Sequence, residues 1–347
     1  MKKERNGLIS LWKFIFACVI VFFHGNQFYA PNENEFFLGG YIAVEYFLIV
    51  TGLFFAEKTL KESSDLSNVG KENIIQIWNK IKKILPYLSI AFVLSLITTL
   101  YRTEMKTFQI VNTIWNYLLL RQTGIQAPII MAQLWYISAM IISLFILYPL
   151  LRKYRENLIY IFSPLIVIFG YGYLCHNWVG LDHAYHIWNG YLYTGTIRAF
   201  CGINLGMIIY LIVEKIKNIN FSTIKKIFLS LLSQSLLIFI LYMINFLDNS
   251  KNYDYIMLMF ICISLTIFAT QKNIESKILS NRFIVFLEKI SMPIFLNHPF
   301  IIDIVDFIAP FYNLTLHQQS YLSVIMTILF SAIEFVIIDR IIHHKNK

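Results

Sequence analysis

The chain has 347 residues, 57% of them hydrophobic and 14% charged, with a formal net charge of +9. So apolar a composition lies above the usual globular range and excludes a soluble globular enzyme. The surplus of Lys and Arg reflects membrane topology and attraction to anionic headgroups, and it argues against nucleic acid as a partner.

A helix needs roughly 20 mainly apolar residues to cross a hydrocarbon core about 30 Å thick. Ten such spans are predicted, at 8–28, 36–56, 84–101, 131–151, 157–175, 195–213, 227–247, 254–270, 284–306 and 319–340. The expected fold class is all-α, a polytopic transmembrane helical bundle that takes residues 1–347 as one membrane domain. The first span is too long for a removable signal peptide and lacks a small-residue cleavage site. Between the second and third spans, Ile74, Ile77, Trp78 and Ile81 fall at helical spacing and predict an amphipathic surface helix near Asn73–Lys83. The apolar stretch 107–120 is short and carries Asn112 and Asn116, which suits an interfacial or re-entrant helix better than an eleventh span.

Cytoplasmic loops retain Lys and Arg. With both termini inside, all but five of the 29 Lys and Arg fall on the cytoplasmic side, the exceptions being Arg102, Lys106, Arg121, Arg198 and Lys251. The expected location is a cell membrane of the bacterial cytoplasmic type, spanned many times. Cys18, Cys175, Cys201 and Cys262 lie in or at the ends of spans at no paired spacing, which predicts free thiols that behave as small hydrophobes.

Ionisable groups inside spans are costly and mark sites or pathways. His24 follows Lys13 by eleven residues, and eleven steps of about 100° return to one helix face, about 16 Å further along the axis. The pair reads as an inside anion site joined to an outside base, or equally as a helix-end histidine and a snorkelling lysine. Glu45 is expected mid-span, where a carboxylate needs a partner or a proton. His298 sits beside Pro299, whose missing N–H frees a backbone carbonyl that His298 or water can satisfy. His176, Asp182, His183 and His186 crowd one outer loop, but spacing alone does not make them a metal site and none is expected.

These residues carry a resemblance to the acyltransferase family 3 membrane proteins, which O-acylate sugars, polysaccharides and some lipids or antibiotics. Lys13 and His24 match the family's Arg, ten residues, His pattern. Val44-Glu45-Tyr46-Phe47-Leu48-Ile49-Val50-Thr51-Gly52 resembles its second-helix motif. Gln133-Leu134-Trp135-Tyr136-Ile137-Ser138, Arg198-Ala199-Phe200-Cys201-Gly202 and Ile290–Pro299 around His298 follow in order. Lys13 departs from the family's Arg and loses the bidentate fork suited to phosphates, and Ser10 stands where many members have Asp.

The resemblance implies an O-acyltransferase, most simply an O-acetyltransferase, taking acetyl-CoA or another acyl-CoA as donor substrate with no bound cofactor. The acceptor would be a hydroxyl of an extracytoplasmic sugar, polysaccharide or glycolipid, and membrane lipids the remaining partners. On this reading His24 and Glu45 are catalytic, His24 as general base. Lys13, Lys82 and Lys83, with Lys80, Arg152 and Lys153 nearby, meet the donor phosphates, although positive-inside anchoring explains each of them as well. Trp135, Tyr136, Arg198 and His298 shape the acceptor end. A transporter or flippase of glycan or lipid-linked substrates is the rival class, although internal repeats typical of that class are absent from the sequence.

Overall fold

A computed structural model describes residues 6–29, 36–63, 65–178, 180–182, 186–246, 253–271, 279 and 281–345. The long helices are α1 (Gly7–Tyr29), α2 (Ala43–Thr59) and α3 (Val69–Arg102), then α6 (Leu134–Tyr154), α7 (Ser163–Asn177) and α8 (Thr194–Ile216), then α9 (Thr223–Phe246), α10 (Asp254–Thr270), α11 (Arg282–Tyr312) and α12 (Leu316–Lys345). Two short helices, α4 (Thr107–Asn112) and α5 (Ile114–Tyr117), follow α3. No strand occurs among the described residues.

Nine helical stretches among the described residues are long and apolar enough to cross a membrane. The remaining predicted span, 254–270, is α10, an apolar helix of 17 residues. Residues 107–120 form only α4, α5 and turns, too short to span.

One expectation changes in kind. The surface helix near Asn73–Lys83 and the third span are a single helix, α3, 34 residues long and uninterrupted at Pro86. At about 1.5 Å per residue it is roughly 50 Å long, well beyond a hydrocarbon core. Its first turns are held by polar contacts: Asn73 donates to the Phe145 carbonyl of α6 at 2.7 Å, and Gln76 to Glu62 at 3.1 Å. Arg152, near the end of α6, bonds Glu62 at 3.2 Å, Glu72, and the carbonyls of Ser63 and Asp65. It therefore straps the α2–α3 connection down instead of standing free for a phosphate.

The centre of the bundle is α1, α2 and α8. Helix α1 packs on α11, α12 and α2; α8 packs on α2, α6, α7 and α10; α3 closes against α11 and α6. Apolar faces of the outer helices, such as Ile97 of α3, Phe228 of α9 and Ile333 of α12, point away from the protein, as lipid contact requires.

Candidate active site

The site is built on the seam between α2 and α8. Small residues let transmembrane backbones approach closely. A Cβ on Gly52 would lie 1.9 Å from the Ile203 carbonyl oxygen, and one on Gly206 would lie 2.0 Å from that of Ile49, so the two helices touch backbone to backbone. This contact sets Glu45, fully buried, beside Arg198, also buried, with Arg198 Nε donating to Glu45 Oε1 at 2.5 Å.

Glu45 is not mid-span as expected. Helix α2 begins at Ala43 after a 3-10 turn over Gly40–Ile42, which puts the carboxylate in the first turn, where the helix dipole favours negative charge. Tyr171 of α7 donates to its second oxygen at 2.6 Å.

Arg198 also donates to the carbonyls of Leu181 at 2.8 Å and Tyr41 at 3.0 Å. Asp254 closes the ring by accepting from the Tyr41 hydroxyl at 2.8 Å and the Leu181 N–H at 2.7 Å. A buried ion pair needs such surrounding donors and acceptors, because desolvation otherwise outweighs its Coulomb attraction. Trp135 lies against the guanidinium, 5.3 Å from ring centroid to carbon.

His24 of α1 and His298 of α11 stack, with ring centroids 5.0 Å apart and planes 11° apart. The lost N–H of Pro299 leaves the Phe295 carbonyl without its helical donor, and His298 Nδ1 fills the vacancy at 2.9 Å. A carbonyl only accepts, so Nδ1 carries the hydrogen and Nε2 is the basic nitrogen of the neutral ring. Gln27, one turn beyond His24, lines the same two cavities as His24.

Among the cavities that the described residues line, three follow one another along this core. The first, about 500 Å³, is at the end of the bundle where α1 begins; its lining is apolar inside and carries Lys13, Lys58, Lys80 and Lys83. The middle cavity, about 150 Å³, is lined by His24, Gln27, Trp135, Tyr136, Asp182 and Arg198 among others. The far cavity, about 460 Å³, is lined by His24, His298, Gln133, Arg102 and Asp303 among others. The first and middle cavities share Val44, Tyr136 and Phe295, and the middle and far cavities share His24, Gln27, Ala132 and Gln133.

The sequence-predicted residues fall into this series unevenly. His24, Trp135, Tyr136 and Arg198 meet in the middle cavity, His298 joins His24 in the far one, and Lys13 and Lys83 line the first. Lys82 is exposed, and Lys80 takes its place on the cavity wall. Glu45 stands behind Arg198, outside the lining of the middle cavity, and meets it through the guanidinium Nε.

Sequence reasoning missed Glu288, whose carboxylate binds Lys13 Nζ at 2.7 Å and the Ser10 hydroxyl at 2.7 Å. It also missed Arg102, which pairs with Asp303 at the far cavity while Thr98 donates to the same carboxylate at 2.6 Å. Of the outer-loop histidines and acid, Asp182 reaches the middle cavity, and His183 lies outside the described residues. The four cysteines are unpaired, in α1, α7, α8 and α10.

No curated protein and no solved structure matches the sequence. The family comparison does: the model of acyltransferase family 3, described as an acyltransferase domain, matches residues 6–337. That match covers nearly the whole helical bundle, cavities included, and the chain therefore belongs to acyltransferase family 3 and is a multi-pass membrane acyltransferase.

Proposed function

We propose that the protein moves an acyl group, acetyl foremost, from acyl-CoA on the cytoplasmic side to a hydroxyl of a sugar, polysaccharide or glycolipid on the far side of a bacterial cytoplasmic membrane. The observation that carries this reading is the series of three cavities, with His24 on the wall of both the middle and the far one. A site open only to one face would serve a soluble acceptor and donor alike. A series suits substrates that never share a compartment.

The distribution of Lys and Arg supports the orientation, because the lysine-rimmed first cavity lies at the end where positive charge accumulates. Four lysines against one carboxylate, Glu288, suit the phosphates of CoA, and the apolar interior suits the pantetheine arm. The thioester then reaches the middle cavity while the acceptor hydroxyl enters from the far cavity.

His24 takes the hydroxyl proton as the oxygen attacks the thioester carbonyl. Arg198, held in place by Glu45, Leu181 and Tyr41, presents its guanidinium to the oxyanion that forms in the cavity it lines. Collapse of the intermediate breaks the carbon–sulfur bond, and the thiolate leaves with the proton that His24 took. The balance is acyl-CoA plus alcohol giving ester plus CoA thiol, with no other reactant and no bound cofactor.

The test is incubation of inverted membrane vesicles with radiolabelled acetyl-CoA, tracing label into extracted glycans for wild type and His24→Ala. Label should enter wild-type glycans and fall to background in the variant. Wild-type rates in a variant that inserts normally would refute the base assignment, and transport without covalent labelling would restore the transporter reading.

A further inference from the structure

The wall between the first and middle cavities is made of three side chains, Val44, Tyr136 and Phe295, all buried. Tyr136 and Phe295 meet nearly edge to face, with centroids 5.5 Å apart and planes at 70°. Phe47 braces Tyr136 on another side, ring centroids 6.4 Å apart. Phe295 is fixed in turn, since its carbonyl holds His298 and its ring lies 6.1 Å from the His298 ring. Aromatic rings packed on two sides do not yield to an oversized guest as a lone leucine does.

Beyond this wall the space is small. The middle cavity holds about 150 Å³, the size of an apolar cavity that accepts one benzene molecule, about six carbon-sized atoms. The reacting groups fill that allowance. An acetyl group brings three heavy atoms and the attacking hydroxyl with its carbon about two more, whereas a butyryl group with the same hydroxyl overfills it.

We propose that Val44, Tyr136 and Phe295 form a size filter that confines the donor to acyl groups of two or three carbons, with Val44 and Phe295 setting the limit. The inference rests on the acyl-CoA reading above and extends it to the residues that choose the acyl chain. A pocket tuned by packing alone discriminates about 10–200-fold per methylene, so a steep fall in transfer from acetyl to butyryl is expected. Removing side-chain volume at the wall should flatten it.

The experiment uses inverted vesicles from cells expressing the full chain, their own glycans serving as acceptor. Radiolabelled acetyl-, propionyl-, butyryl- and hexanoyl-CoA are compared for wild type, Val44→Ala and Phe295→Ala. Wild type should transfer acetyl at least tenfold better than butyryl, and each variant that inserts normally should raise the butyryl-to-acetyl ratio at least tenfold. Val44→Ala is the milder change, and Phe295→Leu replaces Phe295→Ala if the latter is not recovered in the membrane. A flat wild-type chain-length profile, or variants with an unaltered ratio, overturns the filter and leaves the acyl-CoA reading standing. No label from any acyl-CoA in wild type overturns both.

Discussion

The imidazole of His24 lies almost parallel to that of His298, centroids 5.0 Å apart, on two helices that meet only through the fold. Removing a general base costs about 10²–10⁴-fold in rate, so His24→Ala should lose that much transfer. His298→Ala should lose less, because His298 lines the far cavity but not the middle one. If the two act as a unit the losses are non-additive, and the double variant should be no slower than His24→Ala. Vesicle labelling of all four proteins checks this; a double variant slowed by the product of the single losses would show independent roles.

The Glu45–Arg198 pair gives a second prediction that separates folding from chemistry. Leaving one member of a buried pair uncompensated costs about 3–5 kcal/mol, so Glu45→Ala should lower the unfolding temperature of the detergent-purified protein sharply. The double replacement Glu45→Leu with Arg198→Met leaves no orphaned charge and should recover most of that loss. Acyl transfer should stay at background in the double variant, since no guanidinium remains in the middle cavity. Recovery of both stability and transfer would reduce Arg198 to packing.

Glu288 competes with any anion for Lys13, which it holds at 2.7 Å. A charge-assisted hydrogen bond contributes about 1.5–3 kcal/mol, so releasing Lys13 with Glu288→Gln should lower the KM for acyl-CoA about tenfold with kcat little changed. Lys13→Ala should move KM the other way. Initial rates over a range of donor concentrations decide it, and a KM unmoved in both variants would place the donor phosphates elsewhere.

Glycine positions supply a matched pair. A Cβ on Gly206 would lie 2.0 Å from the Ile49 carbonyl oxygen, whereas one on Gly172, an exposed position of α7, meets nothing within 4 Å. Gly206→Ala must push α2 and α8 apart and should cost at least about 1–3 kcal/mol, the penalty of overpacking. Gly172→Ala should leave stability unchanged or raise it by up to about 1 kcal/mol. Size-exclusion profiles and unfolding temperatures of the two variants give the comparison.

Hydropathy made the spans readable, because crossing a bilayer imposes length and composition on every helix regardless of what it packs against. It misjudged α3, where Lys82, Lys83 and Pro86 look like a helix boundary but lie in a helix stapled to α6 by Asn73. Helical phase, applied strictly, would have chosen Lys80 over Lys82. Gln76, Lys80, Lys83 and Ile84 fall at i, i+4, i+7 and i+8 and share the cavity wall. The ring that surrounds Arg198 was not readable, since Tyr41, Tyr171, Leu181 and Asp254 come from separate parts of the chain and no local pattern links them. Glu288 and Lys13 are 275 residues apart in sequence, so no local pattern marks their pairing.

Glu45 and Arg198 are 153 residues apart in sequence, and a chain is made from its N-terminus at about 5–20 residues per second. Helix α2 therefore enters the membrane roughly 8–30 s before its counter-ion exists. Through that interval the carboxyl has no guanidinium beside it, and Tyr171, 126 residues further along the chain, follows only in its last part. Insertion of α8 is then the event at which the glycine faces close and Arg198 takes its place beside Glu45. A ribosome stalled before Arg198 would leave a membrane-embedded chain with α1 and α2 made and the seam between α2 and α8 open.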